Sequence, residues 1–399
     1  MIAKNGSALK GLRVLDLGRV LSAPLGASIL ADLGADVIKV ESPDGGDSAR
    51  INMPMKDGIS AYYVNFNRSK RGITLNMKAP EGKEILRKLI MNSDVMIENF
   101  RPGVMAKLGF SYEDVKKINP RIIYASVSGF GQDGPYSQRA GYDPIAQAMS
   151  GLMSVTGEEG SHGVRCGASI ADVMAGQNMV LAILAALYYR NLTGKGQQID
   201  VALTDVCMIA LSSVNLGYLT NGVVPKPMGN GYAALAPGDS YPTADGRFVM
   251  LTGSQAQWVK LCGLLGHEEW VDIPEFATNR DRVANKKRLN EMIAAETEKY
   301  TTEDIIDRFL KAGLPAGPIY NLEQAANDKH FSEARQMFTS VEHPMVGEMK
   351  IMNQSFKMSE TNPYVRCCAP ELGADNRAIL TELGYSDDDI AGFVKNGVI

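Results

Sequence analysis

The order of three short patterns between Arg13 and Glu41 constrains this chain most. Arg13 to Gly18 (RVLDLG) reads as an apolar strand. Pro24 to Asp36 places Leu25, Ile29, Leu30 and Leu33 at helical spacing, with Gly34 as a stop. Val37 to Glu41 (VIKVE) reads as a second strand. Strand, helix and strand at this spacing form a βαβ unit, which requires a parallel sheet with helices on its faces. The pattern repeats, with helix at Ala79 to Asn92, strand at Val95 to Glu98, helix at Ser111 to Ile118 and strand at Ile122 to Ser126. The expected fold class is therefore α/β, with a Rossmann-type, doubly wound large domain.

From Ala140 to about Arg190 the pattern is helical and strongly apolar, and Gln197 to Ala202 reads as a further strand. Residues 222–247 carry Pro225, Pro227, Pro237, Pro242 and many glycines, the mark of a long loop. A smaller α/β region starts at Phe248 to Thr252. With 399 residues, 45% of them hydrophobic, the chain exceeds one small domain. The expected organisation is a large domain over 1–210, a linker over 211–247, a small domain over 248–320, and a return to the large domain over 321–399.

Composition excludes several functions. A net charge of -4 offers no basic face for nucleic acid. Lys4, Lys10, Arg13 and Asp16 interrupt the N-terminal segment, so it does not read as a signal peptide. The apolar run Met179 to Tyr189 is shorter than the ~20 residues of a membrane span. A cytoplasmic protein without membrane partners is expected. The five cysteines and four histidines show no metal-ligand spacing, so no metal is expected.

Three features carry chemistry. Gly129-Phe130-Gly131-Gln132-Asp133-Gly134 matches GxGxxG after a strand, but Pro135 follows where a helix should open on a pyrophosphate. A glycine-rich loop explains it better, which disfavours a nicotinamide-dependent dehydrogenase. Ser169-Ile170-Ala171-Asp172 opens a helix and reads as an S-x-x-D capping box. The bland reading is a helix cap. The functional one is a carboxylate nucleophile, held ionised at a helix start, with Gly163, Gly167, Ala168 and Gly176 leaving room for substrate. The third feature is a set of cations, Arg19, Lys39, Arg68, Lys70, Arg71, Lys78, Arg101, Lys107 and Arg139, most near the ends of expected strands. Scattered surface charge is the bland reading, and a nucleotide phosphate partner the functional one.

Seven stretches in register resemble the class III coenzyme A transferases, a family that includes formyl-CoA:oxalate and carnitine CoA-transferases. They are VLDLGRVLSAPLGASILADLGADVIKVE, NRSKRGITLNMKAPEGKE, VMIENFRPGVMAKLGF, NPRIIYASVSGFGQDGPY, GYDPIAQAMSG, ASIADVMAG and LTGKGQQIDVAL. The resemblance implies an interlocked homodimer of ring-like chains and an aspartate nucleophile at Asp172. It implies coenzyme A contacts at Arg19, Val20, Leu21, Ser22, Lys39, Leu75, Lys78, Asn99, Phe100 and Lys107. Tyr142 and Asp143 align with residues bordering the active site, and Gly229, Asn230 and Gly231 with a loop over it. The implied substrates are an acyl-CoA and a small carboxylic acid, with no permanently bound cofactor. Leu21 stands where oxalate-type members carry glutamine, and only Gly229-Asn230-Gly231 replaces their glycine run, which argues against oxalate or formate. An α-methylacyl-CoA racemase shares the fold, but Tyr142 stands in a Gly-Tyr-Asp motif where that branch carries its histidine base. A tyrosine, with an ordinary pKa near ~10, is a poor base at neutral pH.

Overall fold

A computed structural model describes residues 8–399. Lys4 and the rest of the first seven positions lie outside the described residues. The chain divides into two compact units, one of residues 1–152, 165–220 and 330–399, the other of 153–164 and 221–329.

The first unit is built on six strands, β1 (Arg13–Asp16), β2 (Asp36–Glu41), β3 (Arg71–Thr74), β4 (Val95–Glu98), β5 (Ile123–Ser128) and β6 (Gln197–Ala202). They pair side by side as β3-β2-β1-β4-β5-β6, parallel throughout. Strand order reverses between β1 and β4, the switch point where open sheets bind ligands at their carboxyl ends. Alternation along the strands feeds two cores. Val14, Ile97 and Ala125 face one side, against α1 (Ser22–Asp32) and the helix Ile170–Thr193. Leu15, Met96 and Tyr124 face the other, against the helices Pro80–Met91 and Tyr112–Ile118 and the C-terminal helices. The sheet is thus doubly wound.

Strand β3 carried no clear signal, because RGIT is short and mostly lacks alternation. It forms an edge, and the C-terminal segment covers it. Gly72 N–H donates to Asp375 at 2.7 Å and Thr74 N–H to Asn376 at 2.8 Å, which satisfies edge groups that would otherwise be open.

The helical stretch expected over Ala140 to Arg190 is broken. It forms helices Asp143–Met149 and Leu152–Val155, then an irregular segment, and only then Ile170–Thr193. Glycines at 151, 157, 160 and 163 adopt positive φ, which ends regular helix there. The span 211–247, read as a linker, carries the helix Ser213–Asn221 and the strand Gly238–Pro242. Helix Ile170–Thr193 is long and apolar enough to cross a bilayer by length and composition, so the apolar run is longer than its sequence boundaries suggested. One face is buried in the sheet core at Ala175, Met179, Ile183 and Ala186.

The second unit holds a three-stranded antiparallel sheet, with Arg247–Leu251 between Ala316–Pro318 and Gly238–Pro242. Trp258, Phe248, Phe276 and Phe309 fill its own core.

Helix α1 and Ile170–Thr193 meet through glycine. A Cβ on Gly176 would lie 2.6 Å from Ser22 O, and one on Gly26 would lie 2.3 Å from Met179 Cε and 3.0 Å from Gly176 O. Gly176 thus makes room for a helix, not for a substrate as its sequence position suggested. In an open helix, Gly→Ala stabilises by roughly 0.5–1 kcal/mol. Gly176→Ala meets backbone instead and is expected to destabilise by ~1–3 kcal/mol. Gly26→Ala meets the flexible end of a methionine first and should cost less. Urea unfolding midpoints of both variants check the sign and the order.

Candidate active site

Three loops at the carboxyl ends of the sheet build the site. The loop Gly18 to Ser22 follows β1 and turns sharply, with Val20 at φ 65°. That conformation is strained for a β-branched residue and must be held from outside. Asp47 holds it from one side, accepting the Val20 N–H on both carboxylate oxygens at 3.1 Å. Asn99, after β4, holds it from the other. Its Oδ1 accepts the Arg19 N–H at 2.7 Å, and its Nδ2 donates to Arg19 O at 2.8 Å and to Ser22 Oγ at 3.2 Å.

Lys39 was expected to meet a nucleotide. It is instead fully buried, and its ammonium donates to Asp47 Oδ2 at 3.0 Å and to Gly18 O. Its partners hold the Val20 turn, and its remaining atoms are wall. The carboxylates of Asp16, Asp47 and Glu41 around it raise its pKa despite burial.

The cation set divides cleanly. Arg68 is buried against Asp32 at 2.8 Å, Lys70 against Asp16 at 2.7 Å, and Arg71 pairs with Asp36 and Glu382, each at 2.7 Å. With Lys39, these four tie the sheet together. Arg19, Lys78, Arg101, Lys107 and Arg139 are exposed and form no ion pair among the described residues. All five border the two cavities below or a smaller neighbour.

The first cavity, of about 770 Å³, lies over β1, β2 and β3. Arg19, Lys39, Leu75, Lys78, Phe100 and Lys107 border it. The second, of about 450 Å³, is bordered by Val20, Leu21, Ser22, Asn99, Tyr142 and Asp172. Arg19, Phe100 and Val104 border both, so the two cavities are neighbours at the switch point. Leu21 is buried and gives the second cavity an apolar wall.

Asp172 sits in the first turn of Ile170–Thr193, but no capping box forms, because Ser169 makes no side-chain cap. Asp143 caps the helix instead. Its Oδ1 accepts the Ala171 N–H at 2.8 Å and its Oδ2 accepts Gln147 Nε2 at 2.7 Å. Gln147 Oε1 in turn accepts the Cys166 N–H at 2.9 Å, fixing the approach to the helix. The Asp172 carboxyl is therefore not held low by the helix start. Burial first, and the charge of Asp143 second, push it up to about 6, and a hydrogen bond from Ser22 opposes them. A carboxylate at that value is still mainly ionised at pH 7.

Sequence reasoning missed Asp47, which has no motif of its own. It also missed Tyr62, whose phenol is raised first by burial and then by the charge of Asp172. Glu98 was read only as the end of a strand. Burial pushes it up to about 7, and it accepts the Phe100 N–H at 2.7 Å, steadying a residue common to both cavities. Gly229, Asn230 and Gly231 belong to the second unit. There Gly229 N–H donates to Gly157 O at 2.8 Å and Asn230 Nδ2 to Ser240 Oγ at 3.0 Å.

Two neighbouring cavities at a switch point, one lined by exposed cations and the other by a half-buried carboxylate, suit an enzyme that handles an anionic substrate. Residues 9–376 match CoA-transferase family III, and the chain belongs to that family; it is a class III CoA-transferase. It is 39% identical over 382 residues to a succinate–glutarate CoA-transferase of Agrobacterium fabrum, covering 94% of this chain and 95% of that one. It is 38% identical over 402 residues to a succinyl-CoA:glutarate CoA-transferase of Mus musculus, covering 98% and 90%. The crystal structure of a CAIB/BAIF family protein from Brucella suis is 38% identical, with a TM-score of 0.85 over 95% of this chain and all of that one.

The two lysine environments give a direct contrast. Lys39→Met leaves Asp47 buried and unpaired, and should destabilise the protein by roughly 3–5 kcal/mol. Lys78→Ala removes an unpaired surface cation and should change stability by less than about 0.5 kcal/mol. Thermal unfolding of the two variants side by side checks this.

Proposed function

We propose that this enzyme moves CoA from a donor acyl-CoA to an acceptor carboxylic acid through covalent intermediates on Asp172. The observation that carries the reading is that Asp172 borders a cavity next to a larger one lined by the unpaired cations Arg19, Lys78 and Lys107. The nucleotide of CoA would lie in the first cavity, near Arg19, Lys78 and Lys107, against Leu75 and Phe100. The loop Val20–Leu21–Ser22, with Asn99, would guide the pantetheine arm toward Asp172.

The steps balance without an added proton. An Asp172 carboxylate oxygen attacks the thioester carbon, the C–S bond breaks, and CoA thiolate leaves, giving a mixed anhydride. The thiolate attacks the aspartyl carbonyl and releases the donor acid as its carboxylate, leaving an aspartyl-CoA thioester. The acceptor carboxylate attacks that thioester, again freeing thiolate and forming a new anhydride. Thiolate attack on the acceptor's acyl carbon gives the product thioester and restores Asp172. One negative charge passes from group to group throughout. Helix α1 starts without a side-chain cap at Leu21, which leaves backbone donors near Ser22 for the developing oxyanions.

The names of the relatives point to dicarboxylic acids such as succinate and glutarate as the substrate class. An interlocked homodimer is part of the proposal. Leu181, Tyr188, Leu192, Ile209 and Leu219 of the first unit are exposed apolar side chains that a second copy would cover. Five free cysteines suit the reducing cytosol, where we place the enzyme.

Asp172→Ala should abolish transfer, and hydroxylamine added during turnover should form an aspartyl hydroxamate on the peptide that contains Asp172. Mass spectrometry reads both. An active preparation whose Asp172 stays unmodified while the substrate's α-proton exchanges with solvent would replace this reading by a racemase.

The pH dependence follows from the local charges. Asp172 attacks as the carboxylate, so kcat/KM should fall as pH drops through about 6. Ser22→Ala removes a bond to the ionised form and should move this acid limb to higher pH. Asp143→Asn removes a like charge and should move it to lower pH. Acid limbs that shift together, or not at all, would detach Asp172 from the profile.

A further inference from the structure

The glycine-rich stretch after β5 is explained by a loop. Gly129 and Gly141 abut, since a Cβ built on either would lie 2.5 Å from the Cα of the other. The chain therefore leaves the strand, runs out and returns to its own start, an Ω-like closure that only glycine at both ends permits. Internal bonds stiffen the excursion. Gly131 N–H donates to Ser128 Oγ at 3.0 Å and Gln132 N–H to Asp200 Oδ2 at 2.8 Å. Phe130 meets Tyr136 edge to face, with centroids 5.8 Å apart. Tyr136 in turn carries Arg139, whose guanidinium carbon stands 3.9 Å from the ring centroid. The Arg139 N–H donates to Tyr136 O at 2.8 Å, fixing the backbone beneath the stack.

The loop thus presents one braced guanidinium at the cavity that holds Asp172. Two other unpaired arginines border that cavity, and their positions differ. Arg19 stands at the junction with the first cavity. Arg101 also borders the small neighbouring cavity around Glu98. Arg139 borders the Asp172 cavity and neither of the others. It lies with Ala140, Gly141 and Tyr142, apart from the Gly18–Ser22 loop in the chain.

We propose that Arg139 is a specificity residue. It binds the far carboxylate of a dicarboxylic acid whose near carboxylate reacts at Asp172. A guanidinium pairs with a carboxylate through two parallel N–H donors, and a planar group stacked on an aromatic ring loses little freedom on pairing. A monocarboxylic acid of the same length offers it nothing. The inference rests on the transferase reading above and assigns its selectivity to one side chain on one loop.

The test is a competition. Wild type, Arg139→Gln and Arg139→Lys receive succinyl-CoA with glutarate and valerate together, and mass spectrometry gives the ratio of the two CoA products. Because both acceptors share the donor half-reaction, effects of Arg139 on the donor cancel in the ratio. Wild type should favour glutarate. Arg139→Gln should lower the ratio by about 10–100-fold, the range for a charge-assisted hydrogen bond. Arg139→Lys should recover part of it. A wild-type ratio near one, or a ratio unchanged in Arg139→Gln, overturns the proposal while leaving the transferase reading intact. Wild-type enzyme that moves CoA to neither acid, nor to any other carboxylic acid in a panel, overturns the transferase reading and this proposal with it.

Discussion

The close crossing of α1 and Ile170–Thr193 at Gly26 and Gly176 is the contact on which the site depends. Ser22 lies at the start of one helix and Asp172 in the first turn of the other. Neither helix alone brings a hydroxyl to a carboxyl. With backbone pressed on backbone, the two N-terminal turns lie together, and the Ser22 hydroxyl reaches the carboxylate. A side chain at Gly176 would meet the backbone of Ser22, spread the helices and move both groups. The same packing buries the small residues Ala23, Ala27, Ala171 and Ala175. The site therefore draws its precision from helix packing against a sheet, more rigid than loops alone.

The basic residues show how burial divides one residue type into two roles. Lys39, Arg68 and Lys70 are enclosed and paired with Asp47, Asp32 and Asp16. Such pairs gain little net stability over apolar packing, but losing one partner strands the other charge. They act as registers. Lys70 also donates to Pro24 O and Phe66 O, so a single ammonium ties β1, α1 and the helix Ala61–Asn67. The exposed group, from Arg19 to Arg139, keeps its charge unpaired around neighbouring cavities. In a chain of net charge -4, unpaired cations gathered on one side of the sheet create a local field favourable to an anionic carrier.

Much of the fold was legible because its signals are local. Strands Val95–Glu98 and Gln197–Ala202 have the boundaries read from the sequence, and the helix Tyr112–Ile118 differs by one residue. Apolar runs bounded by turn residues mark such elements plainly. Strand β3 escaped because an edge strand covered by a distant segment needs no alternation of its own, and its partners Asp375 and Asn376 lie some 300 positions away. The break in the helical stretch before Ile170 escaped because its apolar residues kept helical spacing while its glycines took positive φ. At the site, residue types were visible but partnerships were not. The S-x-x-D pattern pointed to the right helix start and the wrong cap, since Asp143 arrives from another helix. Lys39 and Lys78 look alike in sequence, and only the burial of one and exposure of the other separates them.

The environment of Asp172 suits the proposed chemistry in a way that a helix-stabilised carboxylate would not. A carboxyl held low would be ionised at every relevant pH, yet it would be a weak nucleophile and a good leaving group. Burial and the neighbouring Asp143 raise it to about 6, somewhat above an ordinary carboxylate. At pH 7 it is then ionised about ten to one. Greater basicity strengthens its attack on the donor thioester. In the first anhydride the donor carboxylate is then the better leaving group, as thiolate attack on the aspartyl carbonyl requires; in the second, Asp172 must itself leave, which sets a ceiling on its basicity. Ser22 sets the opposite limit, because its hydrogen bond keeps the carboxylate from rising further and spending most of its time protonated. Transfer from thioester to thioester is nearly thermoneutral, so no intermediate may sit in a deep well. Opposing effects from a buried neighbouring charge and a single hydroxyl hold Asp172 between those failures, and the glycine crossing holds the hydroxyl in reach.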